Sequence, residues 1–340
     1  MEPIFTNDAI VFGILMSSLG FVFYTENLTT GFWPKFYKIV PGLFMAYFIP
    51  AIFTTFGVIS PEWKTTSDAG DIVSNSSQLY YVASRYLLPA ALVLMTLSID
   101  LKAIFNLGSK ALIMFFTGTV GVIIGGPLAI LLISIFSPET VGGADFDAVW
   151  RGLSTLAGSW IGGGANQTAM LEIYKYNPAK YGGMVIVDIV VANVWMAILL
   201  IGIGKKDKIN KWLKADTTAI EKLKEKVIHF TQKVQKNPTL SDYMVMLAIA
   251  FGTVGFGHFA AKYLSAFFTA FVGNITSQTW RNVFSFLGSG FFWLISISTI
   301  IAILLSYTKA KNYEGAGASK LGSIFIYILV GTIGMKMDLN

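Results

Sequence analysis

Apolar residues fall along this chain in blocks of membrane length. Such blocks run over about 8–25, 37–60, 79–98, 109–136, 181–204, 243–271, 284–306 and 320–337, each close to the roughly 17–25 residues that carry a helix across a hydrocarbon core. The pattern predicts an all-α membrane protein. A further apolar segment, 148–175, is interrupted by Gly162, Gly163 and Gly164, and reads as two half-helices meeting at a break. The first block follows an acidic leader with Glu2 and Asp8, has no basic stretch before it and no small-residue cleavage site, and is expected to be a retained span. Gly118, Gly121, Gly125 and Gly126 in the fourth block predict close helix packing, since small residues line helix contacts in lipid.

The polar positions supply the orientation. Lys205 to Asp242 is one long polar stretch with ten lysines against four acids before Asp242. Within it Ile220, Leu223, Val227, Phe230 and Val234 recur at helical spacing, the mark of an amphipathic helix that can bind anionic lipid or a partner. A cytoplasmic linker lying along the membrane surface is the plainer reading and the preferred one. Lysine and arginine gather on the cytoplasmic side. If 148–175 enters and leaves on one face as a re-entrant hairpin, Lys35, Lys38, Lys102, Lys110, Lys309, Lys311 and Lys320 all fall inside. Glu62, Asp68, Asp71, Glu139, Asp145 and Asp147 then fall outside, so charge favours the hairpin over a full crossing.

The two sides of the lysine stretch resemble each other in order. Asp8 opens a span ending in Gly20-Phe21 and Asp242 one containing Gly255-Phe256; Leu97-Ser98-Ile99-Asp100-Leu101 matches Met335-Lys336-Met337-Asp338-Leu339. This predicts a first transmembrane repeat over 1–204, a basic linker over 205–242 and an inverted second repeat beginning at 243, an architecture common in secondary transporters. The second repeat stops after three spans, so the chain is expected to be part of a longer protein.

Composition narrows the chemistry. With 54% hydrophobic and 13% charged residues and a mean hydropathy of +0.63, the chain cannot cover a soluble globule. The absence of cysteine removes disulfides, iron–sulfur clusters, thiol catalysis and thiolate zinc, and His229 and His258 alone make a histidine metal site improbable. No phosphate-binding glycine loop, HExxH or Gly-x-Ser-x-Gly occurs in suitable context, so an ATP-driven pump or enzyme is not expected.

The glycine break is the leading site. Lipid cannot satisfy free backbone groups, so unwound chain at membrane depth survives only in protein or beside a watery cavity. Ser159, Gly162, Gly163, Gly164, Asn166, Gln167 and Thr168 form this candidate, with Asn166 and Thr168 expected to cap the second half-helix. Its positive end suits an anionic group and its freed carbonyls a cation; a structural kink is the plainer alternative. Glu172, one turn beyond Thr168, reads equally as a ligand or as an interfacial carboxylate beside Lys175. Asp188 lies mid-span and is a candidate for a coupling ion or proton, with Asn193 and Trp195 expected to share its cavity. Asp100 reads as a helix terminator, Arg85 as an interfacial anchor, and His258 and Lys262 as snorkelling side chains.

At Gly162-Gly163-Gly164-Ala165-Asn166-Gln167-Thr168-Ala169-Met170, at Leu97 to Leu101 and at Gly331 to Leu339, the sequence resembles the domain-of-unknown-function 819 family of membrane proteins. The resemblance implies kinship with bile-acid sodium symporters and cation/proton antiporters, in which discontinuous helices form the core of an inverted repeat. The chain departs from that pattern by lacking a second discontinuous segment. The expected function is ion-coupled secondary transport of a small organic anion, driven by sodium held at Asn166, Thr168 and Asp188, with no other cofactor. Cation/proton antiport and a non-transporting scaffold or partner subunit are the alternatives. Expected partners are the small-molecule substrate, the lipid of a cytoplasmic (inner) membrane crossed many times, and a second copy in a homodimer; nucleic acid is not among them.

Overall fold

The computed structural model describes residues 3–38, 40–66, 72–97, 99, 109–203, 206–213 and 234–337. Asp100, Asp338 and the amphipathic stretch from Ile220 to Phe230 lie outside these residues.

The hydrophobic blocks become helices. These are α1 (Asp8–Glu26), α2 (Trp33–Phe36), α3 (Gly42–Thr55), α4 (Leu79–Val82), α5 (Leu88–Leu97), α6 (Ser109–Phe136), α7 (Pro138–Val141), α8 (Val149–Gly162), α9 (Gly164–Tyr174), α10 (Pro178–Ile203), α11 (Lys206–Leu213), α12 (Leu240–Gly273), α13 (Gln278–Phe284), α14 (Gly290–Ser306) and α15 (Ala318–Gly334). Among the described residues five helices are long and apolar enough to cross a membrane, or six if α14 and the 3-10 turn Lys309–Ala316, bent by 96°, count as one span. The protein is therefore a multi-pass α-helical membrane protein.

One departure from the all-α expectation is an antiparallel hairpin of β1 (Glu62–Thr66) and β2 (Ile72–Ser76), in register with Glu62 opposite Ser76. It occupies the acidic connection after α3. Asp8 joins it to the helix bundle: its carboxylate accepts from the Ser77 hydroxyl at 2.6 Å and the Gln78 amide at 3.0 Å. Asp242, at the start of α12, instead closes a capping box with Thr239 and pairs with Lys236 at 2.6 Å.

The continuous helix α4–α5 is the centre of the bundle, with Leu88, Ala90, Ala91, Val93, Leu94 and Leu97 fully buried. Helices α12, α14 and α15 pack around it through small residues. Added Cβ atoms at Gly257 and Gly322 would come within 2.9 Å of Ser298 and Met95 respectively. Residues Ala83–Leu87, between α4 and α5, form a π turn, a feature that concentrates at functional sites.

Helix α6 behaves differently from expectation. It packs mainly against α8, and nothing lies within 4 Å of where a Cβ would stand at Gly118, Gly121, Gly125 or Gly126. These glycines do not mediate close packing among the described residues, because the helix sits at the periphery with Ile113, Phe115, Leu131 and Ile135 exposed.

Candidate functional site

Helices α8 and α9 form a hairpin. The chain reverses at Gly163, which has φ +83° and ψ −178°, a conformation essentially reserved for glycine. The two arms then lie so close that a Cβ at Gly158 would stand 2.8 Å from the Asn166 carbonyl oxygen, and one at Gly162 would collide with the Asn166 amide. At the opposite end the arms meet again. The Trp150 and Tyr174 rings stand edge to face with centroids 5.8 Å apart, and the Arg151 guanidinium donates to the carbonyls of Tyr174, Asp145 and Ala144.

The break is tighter than its three glycines suggest. Only Gly163 leaves helical geometry, and the Asn166 and Gln167 amides both donate to its carbonyl at 3.0 Å. Asn166 and Thr168 do not cap α9, which has no side-chain cap. The Thr168 hydroxyl donates back to Gly164 O at 3.0 Å, and its side chain is fully buried. Asn166 turns toward α6, where it lines a cavity of about 520 Å³ with Gly126, Pro127 and Met170. Gln167 is 3% exposed, and its side-chain nitrogen has no hydrogen-bond partner among the described residues. Gly162 and Gly163 themselves are exposed.

The hairpin tip is tied to α10 at Asp188. Ser159 Oγ donates to Asp188 Oδ2 at 2.7 Å and Trp160 Nε1 donates to Oδ1 at 2.7 Å. Asp188 lies ten residues beyond Pro178 in α10, which at about 1.5 Å per residue is roughly 15 Å, half the thickness of a ~30 Å hydrocarbon core. The tip thus reaches half the length of a span while both arms start from the same end. Asn193 is not part of this cluster: its amide donates to Ile189 O at 2.8 Å on an exposed face, and Trp195 is half-exposed. The three expected sodium ligands Asn166, Thr168 and Asp188 consequently point to three different places.

Glu172 belongs to a second cluster at the base of the hairpin. Arg85 Nη1 lies 2.7 Å from Glu172 Oε2, with the carboxylate side chain 9% exposed. The Tyr80 hydroxyl donates to the other oxygen, and Lys336 Nζ stands 4.2 Å from the centre of the Tyr80 ring. Arg85 is therefore held by a carboxylate of the protein, a partner not expected from its sequence surroundings. Pro89, four residues on, lacks the amide that would bond Arg85 O across an α turn; His258 Nε2 lies 3.0 Å from that oxygen. A carbonyl only accepts, so this ring nitrogen carries a proton. His258 and Lys262 face a cleft of about 1460 Å³ that also receives Arg85, Glu172, Arg151 and Arg281. The sequence did carry a signal for this: a carboxylate in an apolar helix needs a cation, and Arg85 sits in another apolar helix, immediately before a proline-bearing turn.

Outside the spans, Asp147 accepts from Asn177 at 2.7 Å and pairs with Lys180 at 2.9 Å. Lys180 first, and Asn177 second, hold its carboxyl below the usual range. Among the described residues no group of three or more His, Asp or Glu side chains could hold a metal ion.

No solved structure matches the chain. It is similar to the uncharacterized membrane protein YjcL of Bacillus subtilis (strain 168), 24% identical over 319 residues that cover 90% of this chain and 68% of that relative. The family described as a protein of unknown function, DUF819, matches residues 13–340, and the chain belongs to that family.

Proposed function

We propose that the protein is a secondary transporter of a small organic anion, in which the α8–α9 hairpin is a re-entrant loop and Asp188 binds the coupling cation. The observation that carries this reading is the attachment of a mid-span carboxylate to a helix break through Ser159 and Trp160. An ionisable group at that depth is expensive and is kept where it works, and half-helix ends at a break are where transporters of this kind bind substrates and ions. Neutralising Asp188 by a cation weakens its hold on both donors, which gives the ion leverage over the hairpin. Kinship with bile-acid sodium symporters, the cytoplasmic placement of the lysine stretch, the inverted repeat and a homodimeric assembly form part of the same proposal.

Sodium is the first candidate ion, with the Ser159 hydroxyl and Asp188 carboxylate as its oxygen ligands. One observation favours a proton instead. Among the described residues the hydrogen-bond partners of Asp188 are one hydroxyl and one indole nitrogen, so a sodium ion would find few oxygen ligands beside the carboxylate, whereas a proton needs none. Proteoliposomes containing the purified protein separate the readings. A sodium gradient that accumulates an organic anion supports symport; sodium-driven pH change without solute uptake supports antiport; neither flux, with correctly folded protein, rejects transport.

A further inference from the structure

Arg85, Arg151, Lys175, Lys262 and Arg281 come from five separate stretches of chain yet line one open cleft of about 1460 Å³, and Glu172 is the one carboxylate in its wall. The cleft lies at the base of the hairpin, where α9, the far part of α12, and α13 and the start of α14 meet. This is the end of the bundle opposite the last turns of α10 and the first turns of α12. The rule that places basic residues near cytoplasmic loops accounts for the lysine segment and for Lys309 and Lys311, but not for five cations gathered at the other end.

The cations are held in ways that leave their charge available. Arg151 donates to three backbone carbonyls and lies 4.6 Å over the Trp150 ring, while Arg281 donates to Ile275 O. Carbonyls and a ring fix a guanidinium without neutralising it. Lys175 and Lys262 form no ion pair among the described residues. Phe291, Leu294 and Val272 share the wall, so the charges face one another across partly apolar surface, where their field on an anion is strong.

We propose that this cleft is the anion-binding vestibule of the protein, that it takes a solute bearing carboxylate or phosphate oxygens, and that the incoming anion displaces Glu172 from Arg85. Arg85 offers a planar fork matched to either group, and Glu172 is the internal anion that stands 2.7 Å from one of its nitrogens, Nη1, which is otherwise without a hydrogen-bond partner among the described residues. Arg85, Glu172 and Lys175 also line a second cavity of about 490 Å³ behind them, with Tyr80, Tyr176 and Asn177. The ion pair is thus a partition between two spaces, and an anion that captures Arg85 opens it. The vestibule takes its meaning from the anion-transport reading and rests on it, but binding is measured without any gradient, so each can fail alone.

The test uses the full chain in phosphatidylcholine nanodiscs, titrated calorimetrically with citrate and with inorganic phosphate. At least one should bind. Lys262→Ala and Arg85→Lys should weaken that binding by about tenfold, the loss of one charge-assisted contact. Glu172→Gln should tighten it several-fold by removing the competing charge, and Lys309→Ala at the opposite end should leave it unchanged. A parallel set of nanodiscs containing phosphatidylglycerol distinguishes the source of the anion. If the lipid headgroup fills the cleft, native mass spectrometry retains phosphatidylglycerol on the wild type but not on Lys262→Ala, and citrate binding falls. Melting temperatures report folding; should Arg85→Lys fail to fold, Glu172→Gln and Lys262→Ala decide. Absence of binding by citrate, phosphate and phosphatidylglycerol alike, or binding indifferent to both of those substitutions, overturns the proposal.

Discussion

Ser159 in the first arm of the hairpin donates its hydroxyl to Asp188 in the middle of α10 at 2.7 Å. That bond ties the break between α8 and α9 to the one acid of α10. Ser159 lies four residues before Gly163, the residue with positive φ, so a change in charge at Asp188 acts directly on the last turn before the break.

Asp188→Asn keeps the size of the side chain but removes its charge. Hydrogen bonds to charged groups contribute roughly 1.5–3 kcal/mol against about 1 for neutral ones, so the tip loosens while the bundle remains. Ion-driven uptake in proteoliposomes should fall by at least about tenfold, with the melting temperature nearly unchanged. Uptake at wild-type rate contradicts a coupling role.

Gly163→Ala forces an L-residue into φ +83°, at a cost of about 1–3 kcal/mol. Its neighbourhood is open, with nothing within 4 Å of the new Cβ, so the penalty is conformational and not steric. Limited proteolysis at the hairpin should accelerate and thermal stability should drop. Gly121→Ala, in α6, is the contrasting case: it meets no neighbour and should gain up to about 1 kcal/mol of helix propensity.

Breaking the Arg85–Glu172 pair from one side strands a charge. Removal of one partner of a buried pair costs roughly 3–5 kcal/mol, and the partial exposure of Arg85, 29%, places Glu172→Ala at or below the lower end. The double variant Arg85→Leu with Glu172→Leu should be more stable than Glu172→Ala alone, as read by thermal unfolding in detergent. Equal losses would show that the pair is not coupled.

The carboxyl of Asp147 is held low by Lys180 and Asn177. A depressed folded-state value means that its contribution to stability is present above the unfolded carboxylate pKa, about 3.9, and disappears as pH falls through the folded value. Wild type should therefore lose stability more steeply on acidification than Lys180→Ala, a difference visible in melting curves collected from neutral pH downward.

Much of this fold was legible because lipid imposes a length rule that a hydropathy pattern displays directly. The span expected at 79–98 appears as Leu79–Leu97 and that at 109–136 as Ser109–Phe136. The break was legible too, since three consecutive glycines disfavour an ordinary helix, although Gly163 alone leaves helical geometry; Trp150 beside Tyr174 shows its two arms packed side by side. Side-chain destinations were not legible. Asn166 and Thr168 share one sequence motif but sit 200° apart on a helix of about 3.6 residues per turn, so one faces α6 and the other the core. The pairing of Arg85 with Glu172 joins residues 87 positions apart, and proximity of that kind is set by packing, not by local pattern. The two-stranded sheet escaped because β1 and β2 are short, mostly exposed and polar.

The most direct measurement exploits the absence of cysteine from the chain. A single cysteine is placed at Ile161 or Ala165, beside the break, and another at Ile124 on α6, and each is treated in sealed vesicles with a membrane-impermeant maleimide. A hydrated, ligand-accessible tip at half depth predicts rapid labelling of Ile161→Cys and Ala165→Cys from one side of the membrane and none of Ile124→Cys. Labelling of the tip as slow as that of Ile124→Cys would mean that the break faces lipid or sealed protein, and the transport reading would fail.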